Sequence, residues 1–403
     1  MTSVGFSATV ILEGVNAMLV QFSVTNYRSL KDNVTISLLA GTDKEHANDL
    51  IQADGKKYLV PTVAIYGANA SGKSNILMAL KTMQDMITGT SAQLLKEKKL
   101  PYDPFVLPKN MQSLPTEFEI IFYYENIKYA YSFSYDSNQI LTEYLYHWPN
   151  GREALIFSRK NGKFEFRENA SEQNTLAGRT PANRLYLVSS NEWNAPQTEL
   201  AYKWFVEKLL PYDEQDTPDM TITASKIDLH NKIIKKELML ADLGIVDFDV
   251  DEHGVIMHHS LNCDNGEVYG FALRLEKEST GTQRFFARIG PWIEALEKGG
   301  ILFVDEIDAS MHPLLTRRLV EMVQDLSINT NHAQLIFTTH DAMLLDLTLL
   351  RRDQVWFIEK DPKSLATDLF SLWDFSVRKG ENIRKGYLQG RFGAIPFIGG
   401  DAQ

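Results

Sequence analysis

The chain has 403 residues, of which 44% are hydrophobic and 23% are charged. That composition is typical of a globular protein and excludes a disordered or fibrous one. The length exceeds what one hydrophobic core usually holds, so we expect one large elaborated domain or two lobes. The net charge of -11 argues against a dominant electrostatic contact with nucleic acid. A local contact with nucleic acid would have to use the basic stretches 96–99 and 378–391.

Cysteine content and hydropathy indicate a cytoplasmic protein. The single cysteine, Cys263, cannot form an intrachain disulfide, which suits a reducing compartment. No apolar run approaches the roughly 20 residues of a membrane-spanning helix, and Val4–Leu12 lacks the basic region that precedes the apolar part of a signal peptide. We therefore expect no membrane partner. A clean strand pattern begins only after Met18, so we interpret residues 1–17 as an upstream extension of the functional start.

The first third of the chain predicts strands that lead to a loop of special spacing. Alternating residues predict strands at Val20–Val24 and Val34–Leu39, and an apolar run predicts a buried strand at Val60–Tyr66. A helical pattern follows over Ser74–Thr88. Between this strand and helix lies the sequence G-x-x-x-x-G-K-S, which is the phosphate-binding P-loop pattern.

The P-loop predicts a nucleotide site, because a strand, a loop and a helix in this order aim backbone N–H groups and the positive helix end at one point. Lys73 is expected to reach the β- and γ-phosphates, and the Ser74 hydroxyl to coordinate Mg²⁺. The alternative is an ordinary glycine-rich turn, but the flanks match a P-loop on both sides. The predicted nucleotide contacts here are Gly67, Asn69, Ala70, Ser71, Gly72, Lys73, Ser74 and Asn75.

The middle of the chain predicts an antiparallel sheet followed by helices and further strands. Asparagine- and glycine-containing turns separate the strand patterns. The predicted strands are Phe118–Tyr124, Ile127–Tyr135, Gln139–Trp148, Leu155–Ser158, Lys163–Phe166, Val246–Asp251, Gly254–Ser260 and Val268–Leu275. Helix formers dominate 183–210 and 226–243. No internal repeat and no sustained heptad pattern is visible, so a long coiled-coil arm is not expected.

A second buried strand, Ile301–Val304, ends in the acidic pair Asp305-Glu306. A parallel strand delivers such carboxylates to the sheet edge where the P-loop also lies. Asp305 is expected to hold Mg²⁺ through water, and Glu306 to polarise the water that attacks the γ-phosphate. The alternative is an acidic helix N-terminus, where Asp and Glu are favoured anyway. A helix is predicted over Pro313–Leu326.

Two further positions complete the candidate chemistry. The apolar strand Gln334–Thr339 ends at His340, which is placed to donate to a γ-phosphate, although a lone histidine is more often structural. Earlier, Ser279-Thr280-Gly281 heads a helix predicted over Gln283–Glu297. Ser279 or Thr280 can cap this helix, and Gly281 lets a phosphate approach the backbone. The plain alternative is a capped helix with no ligand. In the functional interpretation, the N-terminus of this helix would be a second anion site.

Together these segments resemble the ABC-type ATPase superfamily, in the prokaryotic branch that includes SMC and RecF-like proteins. Within it they are most similar to the single-domain ATPases of abortive-infection and restriction-linked loci, of the RloA and AbiLi type. The resemblance is carried by Phe22–Ser29, Gly67–Ser74, the S-x-G-T-x-R signature at Ser279–Arg284, Asp305–Pro313 and the closing stretch Gly386–Phe397.

The resemblance implies an α/β fold: an ABC-type P-loop NTPase head with a mixed or parallel core sheet, an antiparallel β lobe and a helical insertion. It implies three regions. Residues 1–90 would form the N-terminal ATPase lobe with the P-loop, 91–275 an inserted region of antiparallel strands and helices, and 276–403 the C-terminal ATPase lobe.

The resemblance also implies roles for single residues. Lys73, Glu306 and His340 would be catalytic, and Ser74 with Asp305 would bind Mg²⁺. ATP would lie between two protomers, so that the opposite subunit contributes the remaining contacts, which are Ser279, Thr280, Gly281 and Asp308. Binding would then close a homodimer and hydrolysis would release it.

Some positions fit the resemblance loosely. Thr280 and Thr282 stand where transporter-type ATPases usually carry Gly and Gln. Arg28 is expected near the nucleotide, because it belongs to the opening motif. Gln112 is the best candidate for the glutamine of the Q-loop.

The sequence therefore predicts an ATPase that acts as a dimeric switch and controls a partner effector in anti-phage defence. The expected effector is a nuclease, toxin or RloB-like protein encoded nearby, because no recognisable second active site accompanies the ATPase motifs. A RecF- or SMC-like ATP-dependent DNA clamp in DNA repair is the alternative of another class. An inactive nucleotide-binding scaffold is a third, which the presence of Lys73, Asp305, Glu306 and His340 disfavours.

Overall fold

The computed structural model of this chain describes residues 17–55, 57–89, 99–212, 220–240, 244–262, 268–377 and 380–396. Several features named above lie outside the described residues. They are residues 1–16 of the proposed extension, Cys263, Phe397, positions 241–243 of the predicted helical stretch 226–243, and positions 96–98 and 378–379 of the two basic stretches.

Strands and helices of the described residues follow the predicted order closely. The strands are β1 Ala17–Thr25, β2 Val34–Ser37, β3 Ile51–Asp54, β4 Lys57–Leu59, β5 Thr62–Gly67, β6 Thr116–Tyr124, β7 Ile127–Tyr135, β8 Ile140–Trp148, β9 Ala154–Lys160, β10 Lys163–Phe166, β11 Leu209–Tyr212, β12 Ile245–Asp251, β13 Gly254–Asn262, β14 Val268–Arg274, β15 Ile301–Val304, β16 Gln334–Thr339, β17 Val355–Lys360 and β18 Thr367–Ser371. The helices are α1 Lys73–Thr88, α2 Ala170–Ala177, α3 Tyr186–Glu192, α4 Pro196–Glu207, α5 Thr221–Leu240, α6 Thr280–Lys298, α7 Pro313–Gln324 and α8 Ile383–Leu388.

The core sheet has the strand order β11-β15-β16-β5-β17-β18. Neighbours pair in parallel except β17 and β18, which are antiparallel. Strands β5, β15 and β16 are buried at every position, which is why each appears in the sequence as a continuous apolar run. Their carboxyl ends meet at one edge of the sheet, where the P-loop, Asp305-Glu306 and His340 follow them.

An antiparallel sheet forms the second layer, in the order β10-β9-β8-β7-β6-β1-β2. The N-terminal strands belong to it, since β1 pairs with β6. Helix α1 lies between the two sheets, and residues of α1 such as Ile76 and Leu80 share one hydrophobic cluster with Ile65 of β5 and Phe122 of β6. Trp204 of α4 stacks on Phe122, with ring centroids 4.1 Å apart. The P-loop helix is thus fixed by apolar contacts on both sides.

Helices α5, α6 and α7 cover the other face of the core sheet, together with the three-stranded sheet β12-β13-β14. The fold class predicted from the sequence is confirmed: an α/β protein with a mostly parallel core sheet, an antiparallel β lobe and a helical part. No helix among the described residues combines the length and the apolar composition that crossing a membrane would require.

Some elements differ from the prediction. The helical region at 183–210 contains α3 and α4 but ends in β11, a short strand that joins the edge of the core sheet beside β15. Strands β17 and β18 were not predicted, although β17 pairs directly with the P-loop strand β5. Helix α6 begins at Thr280, three residues before the predicted start, because Ser279 acts as its N-cap.

A buried carboxylate joins the antiparallel sheet to α3. Glu143 of β8 is fully buried and accepts hydrogen bonds from the Tyr131 hydroxyl (2.9 Å) and from the backbone N–H groups of Tyr186 (2.7 Å) and Leu187 (2.9 Å). Burial raises the pKa of Glu143, and the two backbone hydrogen bonds and nearby Arg159 act against that rise. The carboxylate oxygens thus satisfy three donors that would otherwise be buried without partners.

We predict that Glu143→Gln lowers the free energy of unfolding by about 2 kcal/mol, because one buried donor would then face the new amide NH₂ group. Glu165→Gln on β10 is the matched control; its side chain is 55% exposed, so its effect should stay within about 0.5 kcal/mol. Denaturant titration of both variants measures the difference. Equal stabilities would show that the Glu143 hydrogen bonds contribute little.

Candidate functional site

Two glycines shape the P-loop between β5 and α1. Gly72 has a φ of 108°, and a Cβ at this position would lie 2.5 Å from Thr367 Oγ1 and 2.7 Å from Ser29 Oγ. A Cβ at Gly67 would lie 2.5 Å from the carbonyl oxygen of Ile358. Both positions therefore require glycine on grounds of space, and Gly72 also on grounds of backbone conformation. The loop is a tightly packed cradle of backbone groups at the N-terminus of α1, as phosphate binding needs.

Lys73 is folded back over this loop. Its side chain is mostly buried, and Nζ donates to the carbonyl oxygens of Gly67 (2.9 Å) and Ala68 (3.0 Å). Burial lowers the pKa of Lys73, while the carboxylates of Glu306 and Asp305 oppose that shift. The ammonium group is held by neutral carbonyl groups, which a phosphate can displace with a gain in charge complementarity.

Two distant segments support the loop from outside. The Thr367 hydroxyl donates to the carbonyl of Ser71 (2.8 Å) and lies 2.8 Å from Ser29 Oγ. The Asn75 side-chain amide donates to the same Ser29 hydroxyl (2.7 Å), and the Thr367 N–H donates to the Ser29 carbonyl (2.9 Å). The turn after β1 and the start of β18 thus fix the position of Gly72 and the first turn of α1.

The acidic pair is positioned by the neighbouring strand β16. The Thr338 hydroxyl donates to Asp305 Oδ1 (2.5 Å) and accepts from the Glu306 N–H (2.8 Å). Glu306 has a φ of 49°, a left-handed conformation that is uncommon outside glycine and is concentrated at functional sites. Its side chain is 57% exposed, and its Oε1 lies 3.8 Å from Nε2 of His340. The carboxylate is thus available to a ligand while its backbone is held in place.

Asp308 lies two residues further along this loop. It accepts hydrogen bonds from the Thr339 hydroxyl (2.6 Å) and from the backbone N–H of His340 (3.3 Å). The loop that follows Glu306 is therefore tied to the end of β16, and a displacement of Asp308 would move the backbone of His340.

One cavity of about 430 Å³ collects most of the predicted residues. That volume lies within the usual range for small-molecule sites. Its lining residues are Ser29, Asn69, Ala70, Gly72, Lys73, Ser74, Asn75, Glu306, His340 and Lys360. A second cavity of about 700 Å³ shares Asn69, Glu306 and His340 with the first and is lined by Gly67 and by residues of the C-terminal segment such as Tyr387 and Pro396. Among the predicted residues, Ser71 is buried within the loop, and Ser71, Asp305 and Asp308 line neither cavity.

The signature segment lies elsewhere. Ser279 caps α6, since its Oγ accepts the N–H of Thr282 (3.1 Å). Around Gly281 the space is open: the nearest atoms to a Cβ there would be the Ser310 carbonyl oxygen at 3.7 Å and Ser279 Oγ at 3.8 Å. Ser279, Thr280 and Gly281 line neither of these two cavities.

Two further predicted positions do not line the cavity. Arg28 pairs with Asp103 (2.8 Å) and does not line the cavity, whereas its neighbour Ser29 does. Gln112 donates to the carbonyl of Val106 (3.1 Å) and also lies outside the cavity.

Sequence reasoning missed several residues of the site. Ser29 was visible only as part of the opening motif, and Thr338 only as part of an apolar strand. Lys360 ends a strand that the sequence analysis did not identify, so no local signal marked it.

The oxygen donors suit magnesium. A serine hydroxyl from Ser74 and a carboxylate from Asp305 are the hard oxygen ligands that Mg²⁺ prefers, and this ion usually takes its remaining ligands from water and phosphate. No group of three or more His, Cys, Asp or Glu side chains within the described part of the chain could hold a metal ion. The donor set therefore fits a Mg²⁺ ion that arrives with a nucleotide and would neutralise phosphate charge there.

The fold and the cavity define a P-loop nucleotide-binding protein. A family model described as "AAA domain, putative AbiEii toxin, Type IV TA system" matches residues 63–346, and the chain belongs to this family. It is an ATPase-like AAA domain protein, of a kind that binds ATP. No curated protein matches the sequence.

Solved structures to which the chain is similar include two SMC heads and RecF. The chain is similar to an SMC head bound to the C-terminal winged-helix domain of ScpA (TM-score 0.38, 15% identity, 88% of this chain and 97% of that chain covered). It is also similar to the SMC head domain from Thermotoga maritima (TM-score 0.40, 12% identity, 88% and 98% covered). A third is the recombination mediator RecF with ATP (TM-score 0.34, 11% identity, 89% and 99% covered).

Proposed function

We propose that this protein is an ATP-hydrolysing switch of the ABC type, which dimerises on ATP and controls a partner effector in anti-phage defence. One observation carries the proposal. The P-loop, Glu306 and His340 share one cavity, whereas the signature segment at Ser279–Gly281 lies outside it.

The residues in and around the cavity have separate chemical tasks in this proposal. Lys73 exchanges its carbonyl partners for the β- and γ-phosphates, and the N-terminus of α1 supplies N–H donors. Glu306 accepts a proton from the attacking water, and His340 donates a hydrogen bond to the γ-phosphate. Ser74 and Asp305 would hold Mg²⁺, which supplies positive charge to the phosphates when it is bound. The Thr338 hydroxyl holds the Asp305 side chain and the Glu306 backbone in position through two hydrogen bonds.

The proposed dimer depends on a second anion site, at the N-terminus of α6. Helix α6 has 19 residues, and its capped N-terminus with the uncrowded Gly281 is suited to a phosphate from another molecule. A γ-phosphate shared by the P-loop of one protomer and α6 of its partner would give ATP a higher affinity for the closed dimer. ATP binding would then shift the population toward closure, and loss of the γ-phosphate would reverse it.

The proposed defence role rests on the family description and on the motifs. The family description names a putative AbiEii toxin and a type IV toxin–antitoxin system. The motifs resemble those of RloA- and AbiLi-type ATPases, and the sequence contains no recognisable second active site. We therefore propose that a separate protein encoded nearby, such as a nuclease or an RloB-like protein, carries out the effector reaction, and that the switch acts in the cytoplasm.

The test measures ATP binding, the mass of the protein in solution and the binding of a partner protein. We predict that the purified 45.8 kDa protomer binds labelled ATP and doubles its light-scattering mass with ATP and Mg²⁺. Co-expression with the neighbouring gene product should yield a complex whose nuclease or toxin activity depends on the nucleotide. No ATP uptake would overturn the whole proposal. Salt-dependent binding of duplex DNA by the ATP-bound dimer alone would replace the defence switch with a DNA clamp.

A further inference from the structure

The hairpin β17–β18 contributes Lys360 to the lining of the cavity, a residue that lies outside the P-loop motif. Strand β17 pairs in parallel with β5, and Ile358 lies opposite Gly67. Lys360 is two residues further on, so it lies beyond the end of β5, beside the P-loop. In the antiparallel pair it lies opposite Thr367. Side chains of directly opposite residues share one face of a sheet, and on this face Thr367 reaches the P-loop.

Lys360 presents an unpaired positive charge to this cavity. Lys360 is exposed and lines the cavity, and its side chain makes no ion pair or hydrogen bond with any of the residues that the structure describes. Lys73 differs, because its Nζ is already bonded to two carbonyl groups. The cavity lining contains one carboxylate, Glu306, against these two lysines. An anionic ligand would therefore gain an interaction with Lys360 without breaking an existing contact.

Lys73 and Thr367, the cross-strand neighbour of Lys360, contact different parts of the loop. Lys73 Nζ lies against Gly67 and Ala68, and its charge interacts with Glu306 and Asp305. Lys360 belongs to the hairpin whose Thr367 supports the other end of the loop, at Ser71 and Gly72. In a P-loop the lysine reaches the β- and γ-phosphates, while the backbone N–H groups hold the α- and β-phosphates.

We propose that Lys360 is a nucleotide-binding residue that contacts the α- and β-phosphates, so that it recognises ATP and ADP alike. The inference rests on the proposed function, because it requires a nucleotide in the P-loop. In this proposal Lys360 contributes to the affinity for the nucleotide, whereas Glu306 acts in its hydrolysis. The hairpin β17–β18 then has two tasks: Thr367 supports the loop, and Lys360 binds what the loop holds.

The test compares Lys360→Gln with Lys363→Gln. Lys363 is an exposed lysine in the same hairpin that does not line the cavity. Dissociation constants for labelled ATP and ADP should both rise about tenfold in Lys360→Gln, the loss expected for one exposed charge-assisted hydrogen bond. Lys363→Gln should match the wild type, and Lys360→Arg should restore most of the affinity.

The outcomes separate this inference from the proposed function. Wild-type protein that binds no ATP overturns both. Wild-type protein that binds ATP, with Lys360→Gln binding both nucleotides equally well, overturns only the role of Lys360. A loss of affinity for ATP alone also overturns the proposed role of Lys360, because that result would place Lys360 at the γ-phosphate.

Discussion

Glu306→Gln is expected to lower the maximal rate of ATP hydrolysis by about 10²- to 10⁴-fold, the usual contribution of a general base. Glutamine has the same shape as glutamate but cannot accept the proton of the attacking water. The backbone of residue 306 should not move, because its N–H is held by the Thr338 hydroxyl and its neighbour Asp305 by the same group. The substitution therefore removes the proton acceptor and preserves the cavity.

The same variant should accumulate as an ATP-bound dimer. Removing the Glu306 carboxylate also removes a negative charge from a cavity that must hold a triphosphate, so ATP should bind at least as tightly as in the wild type. Without hydrolysis the closed state cannot be released. Light scattering with ATP and Mg²⁺ should give twice the 45.8 kDa mass of the protomer, and ADP should give the monomer.

Glu165→Gln is a suitable control for this experiment, since it makes the same chemical change at an exposed position on β10. It should hydrolyse ATP at the wild-type rate and show no trapped dimer. Unchanged turnover in Glu306→Gln would remove Glu306 from the catalytic role. Slow turnover in a variant that stays monomeric would keep the catalytic role but argue against an interfacial ATP.

The sequence predicted the parts of this site that are local in the chain. Strands β7, β10, β15 and β16 have the bounds that the sequence predicted, because turn or charged residues end each apolar run. The P-loop and the acidic pair are short motifs, each beginning where a buried strand ends. Since parallel strands share a carboxyl edge, the meeting of the P-loop and Glu306 in one cavity follows from the strand pattern alone.

The parts of the site that the sequence did not predict depend on contacts between residues that are far apart in the chain. Thr338 reaches Asp305 across 33 positions, and Thr367 reaches Ser29 across 338. Strand β11 contains Pro211 and is short, and its conformation is set by pairing with β15 at the sheet edge. No local pattern records such pairings. Lys360 was therefore overlooked, although it lies beside the most recognisable motif of the chain.

Gly281→Asp is expected to abolish ATP-dependent dimerisation without unfolding the protomer. A Cβ at this position would meet no atom nearer than 3.7 Å. An aspartate in the first turn of α6 also interacts favourably with the helix dipole, by about 0.3–1 kcal/mol. The protomer should therefore melt no earlier than the wild type. In the proposed dimer, however, the new carboxylate would face the γ-phosphate of the partner's ATP, and two like charges at contact distance exclude closure.

The measurement uses the Glu306→Gln background, in which the dimer is stable. Light scattering should show a dimer for Glu306→Gln alone and a monomer when Gly281→Asp is added. Gly281→Asn separates charge from size, because it has the same shape without the charge, and it should retain part of the dimer. ATP binding to the P-loop of the monomer should persist in all three. A normal dimer in the Gly281→Asp variant would show that α6 does not receive the phosphate.

Mixing two defective proteins tests the composite site directly. A Lys73→Ala protomer has lost the cation of its own P-loop but keeps an intact α6, whereas a Gly281→Asp protomer has the opposite defect. Neither should dimerise alone. In a mixture, the P-loop of the second can pair with α6 of the first, which restores one of the two interfacial sites. Dimers that form only in the mixture, in the Glu306→Gln background, would require one nucleotide to be held by two chains, and their absence would leave each protomer to bind ATP by itself.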